Sequence, residues 1–294
     1  MTNYTGSLYA LIAFSLFAIH DVFIKFLTLH YLVFQIIFVS SLIAIPFTLL
    51  IIPIFSDITS LKPVYPKVMF LRVIILITTS ACVFYAISSI SLAEVYALLF
   101  SAPIIITALS HPLLREKVGW KRWSAVLFGF CGVLIVLQPN IFYLKMGHLA
   151  AITAAFGIAI VSILLRKVGK KERVALVLIY PLIGNVLIMG CISAFIYKPM
   201  PVEHLGLSTL VGIFSSTGMV FMIFAYRISN VVLVAPMQYS QIVWGSFLGW
   251  LLFSEKVEFN VVFGATIIIT SGLFIVFREA QKKIIIASPT SHTR

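Results

Sequence analysis

The chain has 294 residues, of which 61% are hydrophobic and 10% charged, with a formal net charge of +12. A charged share far below the roughly 25% of soluble domains leaves too little polar surface to wet a globule, so a lipid bilayer is the natural solvent. The excess Lys and Arg lie in short connectors between apolar segments instead of in one patch beside stacking aromatics, which excludes nucleic acid as the partner.

A helix needs about 20 apolar residues to cross the hydrocarbon core. Segments of that size fall at residues 8–28, 32–54, 68–90, 92–114, 121–138, 148–166, 174–196, 207–227, 231–253 and 260–277. They are continuously apolar, whereas the strands of a membrane barrel alternate, so the expected fold is an all-α membrane protein with ten transmembrane helices. The opening MTNYTGS carries no Lys or Arg, and the apolar stretch behind it passes Leu27 without a small-x-small cleavage pattern, so it reads as the first span and not as a signal peptide.

Ionisable groups inside spans are costly and invite a functional reading. The first span carries His20, Asp21 and Lys25. Asp21 and Lys25 are four residues apart in the favourable acid-first order and can neutralise each other. Asp21 is either a cargo or proton-coupling site with His20 as its titratable neighbour, or half of a structural ion pair whose Lys25 snorkels to the headgroups. Arg72 in the third span reads as an interface anchor, and Glu94, three residues into the fourth, as a solvated interfacial acid or, as the alternative, a cavity site. Along the fourth span Tyr96, Phe100, Pro103, Thr107 and Ser110 share one helical face, suited either to a cavity wall or to helix packing.

The ninth span is the richest. Gln238 and Gln241 share a face with the Gly245–Gly249 GxxxG pair, Tyr239, Ser240 and Trp244 lie close by, and Pro236 frees a carbonyl. The two amides either bind cargo or bond to other helices. Thr78–Ser80 and Ser215–Thr217 read as packing, because such hydroxyls satisfy themselves on their own helix. Cys82, Cys131 and Cys191 lie in apolar segments without CxxC spacing and read as core residues, with no metal site and no cofactor expected.

Orientation follows from the basic residues. If the amino terminus is inside, the even connectors and the tail hold most of them, including Arg115, Lys117, Arg166, Lys167, Lys170 and Lys171, while the odd connectors hold Lys145, Lys198 and Lys256. Both termini are then cytoplasmic. An internal repeat runs through the chain: Gly6, Leu8, Ala10, Ala13, Ala18 and Ile19 recur 141 residues on as Gly147, Leu149, Ala151, Ala154, Ala159 and Ile160. Glu116-Lys117-Val118 recurs 139 on at Glu255-Lys256-Val257, Asp21 maps to Ser162, and Lys25 maps to Arg166. Five spans per copy invert the second copy, giving units at 6–139 and 147–278 and a basic tail at 279–294. Two inverted copies are the usual frame for alternating access around a midplane site.

The stretches Phe84–Pro139 and Ala235–Val276 resemble the EamA repeat of the drug/metabolite transporter superfamily, and AIHDVFIKFL at 18–27 is similar to the opening helix of the subgroup with S-adenosylmethionine and riboflavin carriers. The resemblance implies a central cavity between the halves, with the fifth and tenth helices at the periphery. The expected function is secondary transport of a small polar metabolite, amino-acid-like or S-adenosylmethionine-like, with drug export or riboflavin uptake as alternatives. No Walker motif is present. An enzyme would need a catalytic set such as HExxH, and a channel a polar ring; the chain shows neither. Expected cargo contacts are His20, Asp21, Tyr96, Phe100, Gln238, Tyr239, Gln241 and Trp244. Expected partners are membrane lipid, the small-molecule cargo and, as an open alternative, a second copy in a homodimer; the expected location is the cell membrane.

Overall fold

A computed structural model describes residues 4–54, 62–114, 119–137, 144–168, 172–229 and 234–287. The connector Glu116-Lys117-Val118 and residues 288–294 of the tail lie outside them. In lipid no water can satisfy a free backbone, so helices that bond internally are the expected solution. Among the described residues all regular structure is helical. The elements are α1 (Tyr4–Thr28), α2 (Val33–Ile51, continued by the 3-10 turn Ile52–Ile54), α3 (Pro66–Ser89), α4 (Leu92–Leu99), α5 (Ala102–Leu114) and α6 (Trp120–Leu137). They continue with α7 (Met146–Val168), α8 (Val174–Ile196), α9 (Val202–Ile228), the 3-10 turn Ala235–Tyr239 leading into α10 (Ser240–Phe253), and α11 (Phe259–Ala287).

Among the described residues these elements fit ten crossings, with α4 and α5 together forming the fourth. Eight spans are long and apolar enough to cross a membrane; the fifth, α6, is shorter, and the ninth is divided between the 3-10 turn and α10. The chain is a multi-pass membrane protein. Two spans differ from the continuous helices expected. The fourth breaks at Phe100–Ser101, where Pro103 has no N–H for the Leu99 carbonyl and the Ser101 hydroxyl turns back to Leu98 O at 2.6 Å. The ninth begins as a 3-10 turn with Pro236 inside it. The last helix also runs past residue 278 to Ala287, into what the sequence reads as tail.

Packing follows a two-fold pattern. The first span of each copy lies on the third span of the other, α1 on α9 and α7 on α3, while α2 meets α8, α4 meets α10 and α6 meets α11. The equivalence reaches single residues. A Cβ on Gly6 would overlap Ser229, and one on Gly147 would overlap Ser89, so counterpart glycines allow counterpart close approaches. The mid-span hydroxyls behave as the sequence suggests: Thr78, Thr79 and Ser80 donate to Ile74, Ile75 and Ile77 carbonyls, and Ser215 to Gly212 O.

Candidate cargo cavity

Asp21 sits two-thirds along α1 and is only 8% exposed. Two side chains hold its carboxylate. The Tyr96 hydroxyl donates to Oδ2 at 2.6 Å, and His20 Nδ1 lies 2.9 Å from Oδ1, donating when that nitrogen carries the proton. Tyr96 is buried, and its ring is seated by Gly245 of α10, where a Cβ would overlap the aromatic carbons. The GxxxG spacing of the ninth span therefore admits the tyrosine that reaches Asp21; its second glycine, Gly249, lies against the Glu255 carboxylate. His20 packs edge-on to Phe84 at 6.2 Å, which fixes the imidazole beside the acid.

The Asp21–Lys25 pair expected from their spacing does not form. Lys25 reaches past the end of its helix to the Glu255 carboxylate and donates to Ile90 O at 2.8 Å. Glu255 also accepts from Leu92 N at 3.1 Å, so it caps the first turn of α4, where the helix dipole favours an anion. The chain is turned for this by Ser254, which ends α10 in the left-handed conformation at φ 54°. Glu94 is no free interfacial acid either. It closes a capping box with Ser91, accepting from Ser91 N at 2.8 Å, and lies 3.4 Å from His148 Nε2. The S-x-x-E pattern at 91–94 was legible before a hydrophobic run; the role of Glu255 was not, because its partners are 163 and 230 residues away.

With Lys25 engaged elsewhere, Asp21 faces a cavity of about 450 Å³ whose lining includes no Lys or Arg. The walls come from both halves: Phe17, His20 and Asp21 of α1, Val83 of α3, Tyr96 and Leu99 of α4, Phe100, Ala102, Pro103 and Ile106 around the break in the fourth span, Ile158 and Ser162 of α7, Tyr226 of α9, and Gln238 and Gln241. Six of the expected cargo residues, His20, Asp21, Tyr96, Phe100, Gln238 and Gln241, thus share one chamber. Two do not. Tyr239 is buried behind the wall, edge-on to Phe100 at 5.0 Å with its hydroxyl against Gly272, and Trp244 is 38% exposed on the outer side of α10. Both lie on the helix that carries the glutamines, but rotation about its axis turns them away. Phe17, Tyr226 and Ser162 were not among the expected contacts; the repeat relation of Ser162 to Asp21 was the signal that could have found it.

A multi-pass helical fold around a mainly apolar chamber that holds a few polar side chains is the architecture of a membrane transporter. The EamA-like transporter family matches it twice, over residues 4–138 and 145–277, and the chain belongs to that family. It is 25% identical over 284 residues, covering 95% of both chains, to the S-adenosylmethionine uptake transporter of Rickettsia prowazekii. It is 29% identical to an uncharacterized transporter of Helicobacter pylori over 68% of this chain and 70% of that one. A third relative, the riboflavin transporter of Vibrio cholerae, is 28% identical over 63% of each chain. A solved crystal structure superposes with a TM-score of 0.64 over 95% of this chain and 100% of the other at 17% identity, which speaks for the fold.

Proposed function

We propose that the chain is a secondary carrier for a small organic cation with an aromatic part, of the S-adenosylmethionine type, working by alternating access between two inverted five-helix units. The observation that carries this reading is the buried Asp21 carboxylate, held by two hydrogen-bond donors and facing a chamber without a fixed cation. A buried carboxylate is strongly under-compensated by hydrogen bonds alone, so a cationic cargo completes it. Phe17, Tyr96 and Phe100 offer faces for a planar ring, and Gln238 and Gln241 offer amides for its polar edge. The two matches of the family support the division at 6–139 and 147–278. The basic even connectors support cytoplasmic termini.

The breaks in the fourth and ninth spans lie where discontinuous helices in carriers expose backbone to cargo. Riboflavin is the second reading, supported by the same aromatic walls; it has no cationic group and would leave Asp21 uncompensated. In proteoliposomes, labelled S-adenosylmethionine is expected to accumulate transiently against an internal unlabelled pool, with saturation and with competition by the unlabelled compound outside. Counterflow of riboflavin with no response to S-adenosylmethionine would transfer the assignment to the second reading; linear, non-saturable flux would remove the carrier mechanism.

A further inference from the structure

Arg72 is not the interface anchor that its place near a helix end suggests. It is 7% exposed and lines a second cavity of about 280 Å³ bounded by α2, α3, α8 and α9. Phe17 of α1 borders both this cavity and the Asp21 chamber. The rest of the lining is apolar except for the hydroxyls of Thr48, Ser215 and Ser216.

One guanidinium nitrogen has a clear partner. Pro181 has no N–H for the Val177 carbonyl one turn back in α8, and Arg72 Nη1 donates to that carbonyl at 3.1 Å. A neutral donor could have done the same. Nε is buried with no hydrogen-bond partner, and among the described residues no carboxylate pairs with the side chain. A full charge removed from water and matched by one carbonyl calls for an anion.

We propose that the Arg72 cavity is a subsite for the carboxylate of the cargo, so that the protein selects cations that carry an amino-acid end over the corresponding simple amines. The inference rests on the reading of the Asp21 chamber as the cargo site. A planar guanidinium presents Nε and a second nitrogen side by side, the arrangement that grips two carboxylate oxygens. One guanidinium neutralises one negative charge, which suits a carboxylate; a phosphate dianion would leave a charge buried with only hydroxyls for company. The apolar walls fit the methylene chain behind the carboxylate. Asp21 and Arg72, one on each side of Phe17, then read the cationic group of the cargo and its carboxylate.

The test compares thermal stabilisation and binding of wild type, R72Q and R72K, the last retaining the charge but losing the planar fork and Nε. One probe pair is S-adenosylmethionine against its decarboxylated analogue; the other, independent of the cargo assignment, is hexanoate against hexanamide. Wild type is expected to favour each carboxylate about tenfold or more, as for a hydrogen bond to a charged group, and both variants to lose the preference. An Arg72-dependent preference in either pair supports the subsite, and its absence in both overturns it. Preference for hexanoate with no binding of S-adenosylmethionine keeps the subsite and overturns the cargo reading. Asp57, between α2 and α3 in the sequence, lies outside the described residues; energetic coupling of D57N with R72Q in a double-mutant cycle without ligand would show that this carboxylate holds the guanidinium, and would also overturn the proposal.

Discussion

Helices α1 and α7 are counterparts in sequence and in packing, yet only α1 carries an acid. Asp21 of α1 and Ser162 of α7 line the same chamber at positions 141 residues apart. Asp21 is held by His20 and by Tyr96 from the fourth span, whereas the Ser162 hydroxyl donates to Ile158 O in its own helix at 2.8 Å. The two counterpart positions thus line one chamber with different chemistry, an acid on α1 and a hydroxyl on α7. What made an acid tolerable on α1 is a set of partners that α7 lacks: position 161 is Val where position 20 is His. Counterpart helices line the chamber, and its one carboxylate comes from α1.

The largest effect is expected at the end of α1, where Lys25 is tied to Glu255 beyond α10. Lys25→Met leaves the Glu255 carboxylate without its cation at the start of α4, and is expected to lower stability by about 3 kcal/mol in thermal unfolding of purified protein. The charge-reversed double variant K25E/E255K should recover part of that loss, because the pair but not the α4 cap is restored. At the specialised position, Asp21→Asn is expected to reduce uptake of a cationic cargo about 100-fold, with monodisperse protein by size exclusion as the folding control. Moving the acid to its counterpart with D21S/S162D should not restore uptake, since the donors stay with α1; recovery to near wild type would mean that the chamber needs only a carboxylate somewhere on its wall.

Smaller effects sharpen the same contrast. Tyr96→Phe removes one of the two donors to Asp21 while keeping the ring on Gly245, and is expected to lower uptake about tenfold, read as initial rates in proteoliposomes. Ser162→Ala, whose hydroxyl is already spent on its own helix, is expected to lower uptake only about twofold. An equal loss at Ser162 and Tyr96 would show that the two walls share the work of binding.

Much of the architecture was legible in the chain before any coordinates. The spans follow from the length of the apolar runs, because lipid allows few ways to satisfy a backbone, and the two family matches fall where the nearly constant offset puts the repeat. Six of the eight expected cargo contacts meet in one chamber for a related reason: polar groups inside spans are expensive and collect where they can share partners. Tyr239 and Trp244 were misplaced because neighbours of Gln238 and Gln241 in sequence point elsewhere around a helix, and the change from 3-10 to α winding at Ser240 alters that rotation. The break at Phe100–Ser101 could be suspected from Pro103 but not located from it.

Local composition and spacing are enough to give the solvent, the apolar spans, the repeat and the rare charged groups. Which charges meet depends on how distant helices pack. Lys25 lies four residues from Asp21 along α1 but pairs with Glu255, and Arg72 turns inward to a carbonyl freed by Pro181 in another helix. In a medium that cannot hydrate a charge, each ionisable group is placed by the partner that best satisfies it, and the packing of distant helices chooses that partner.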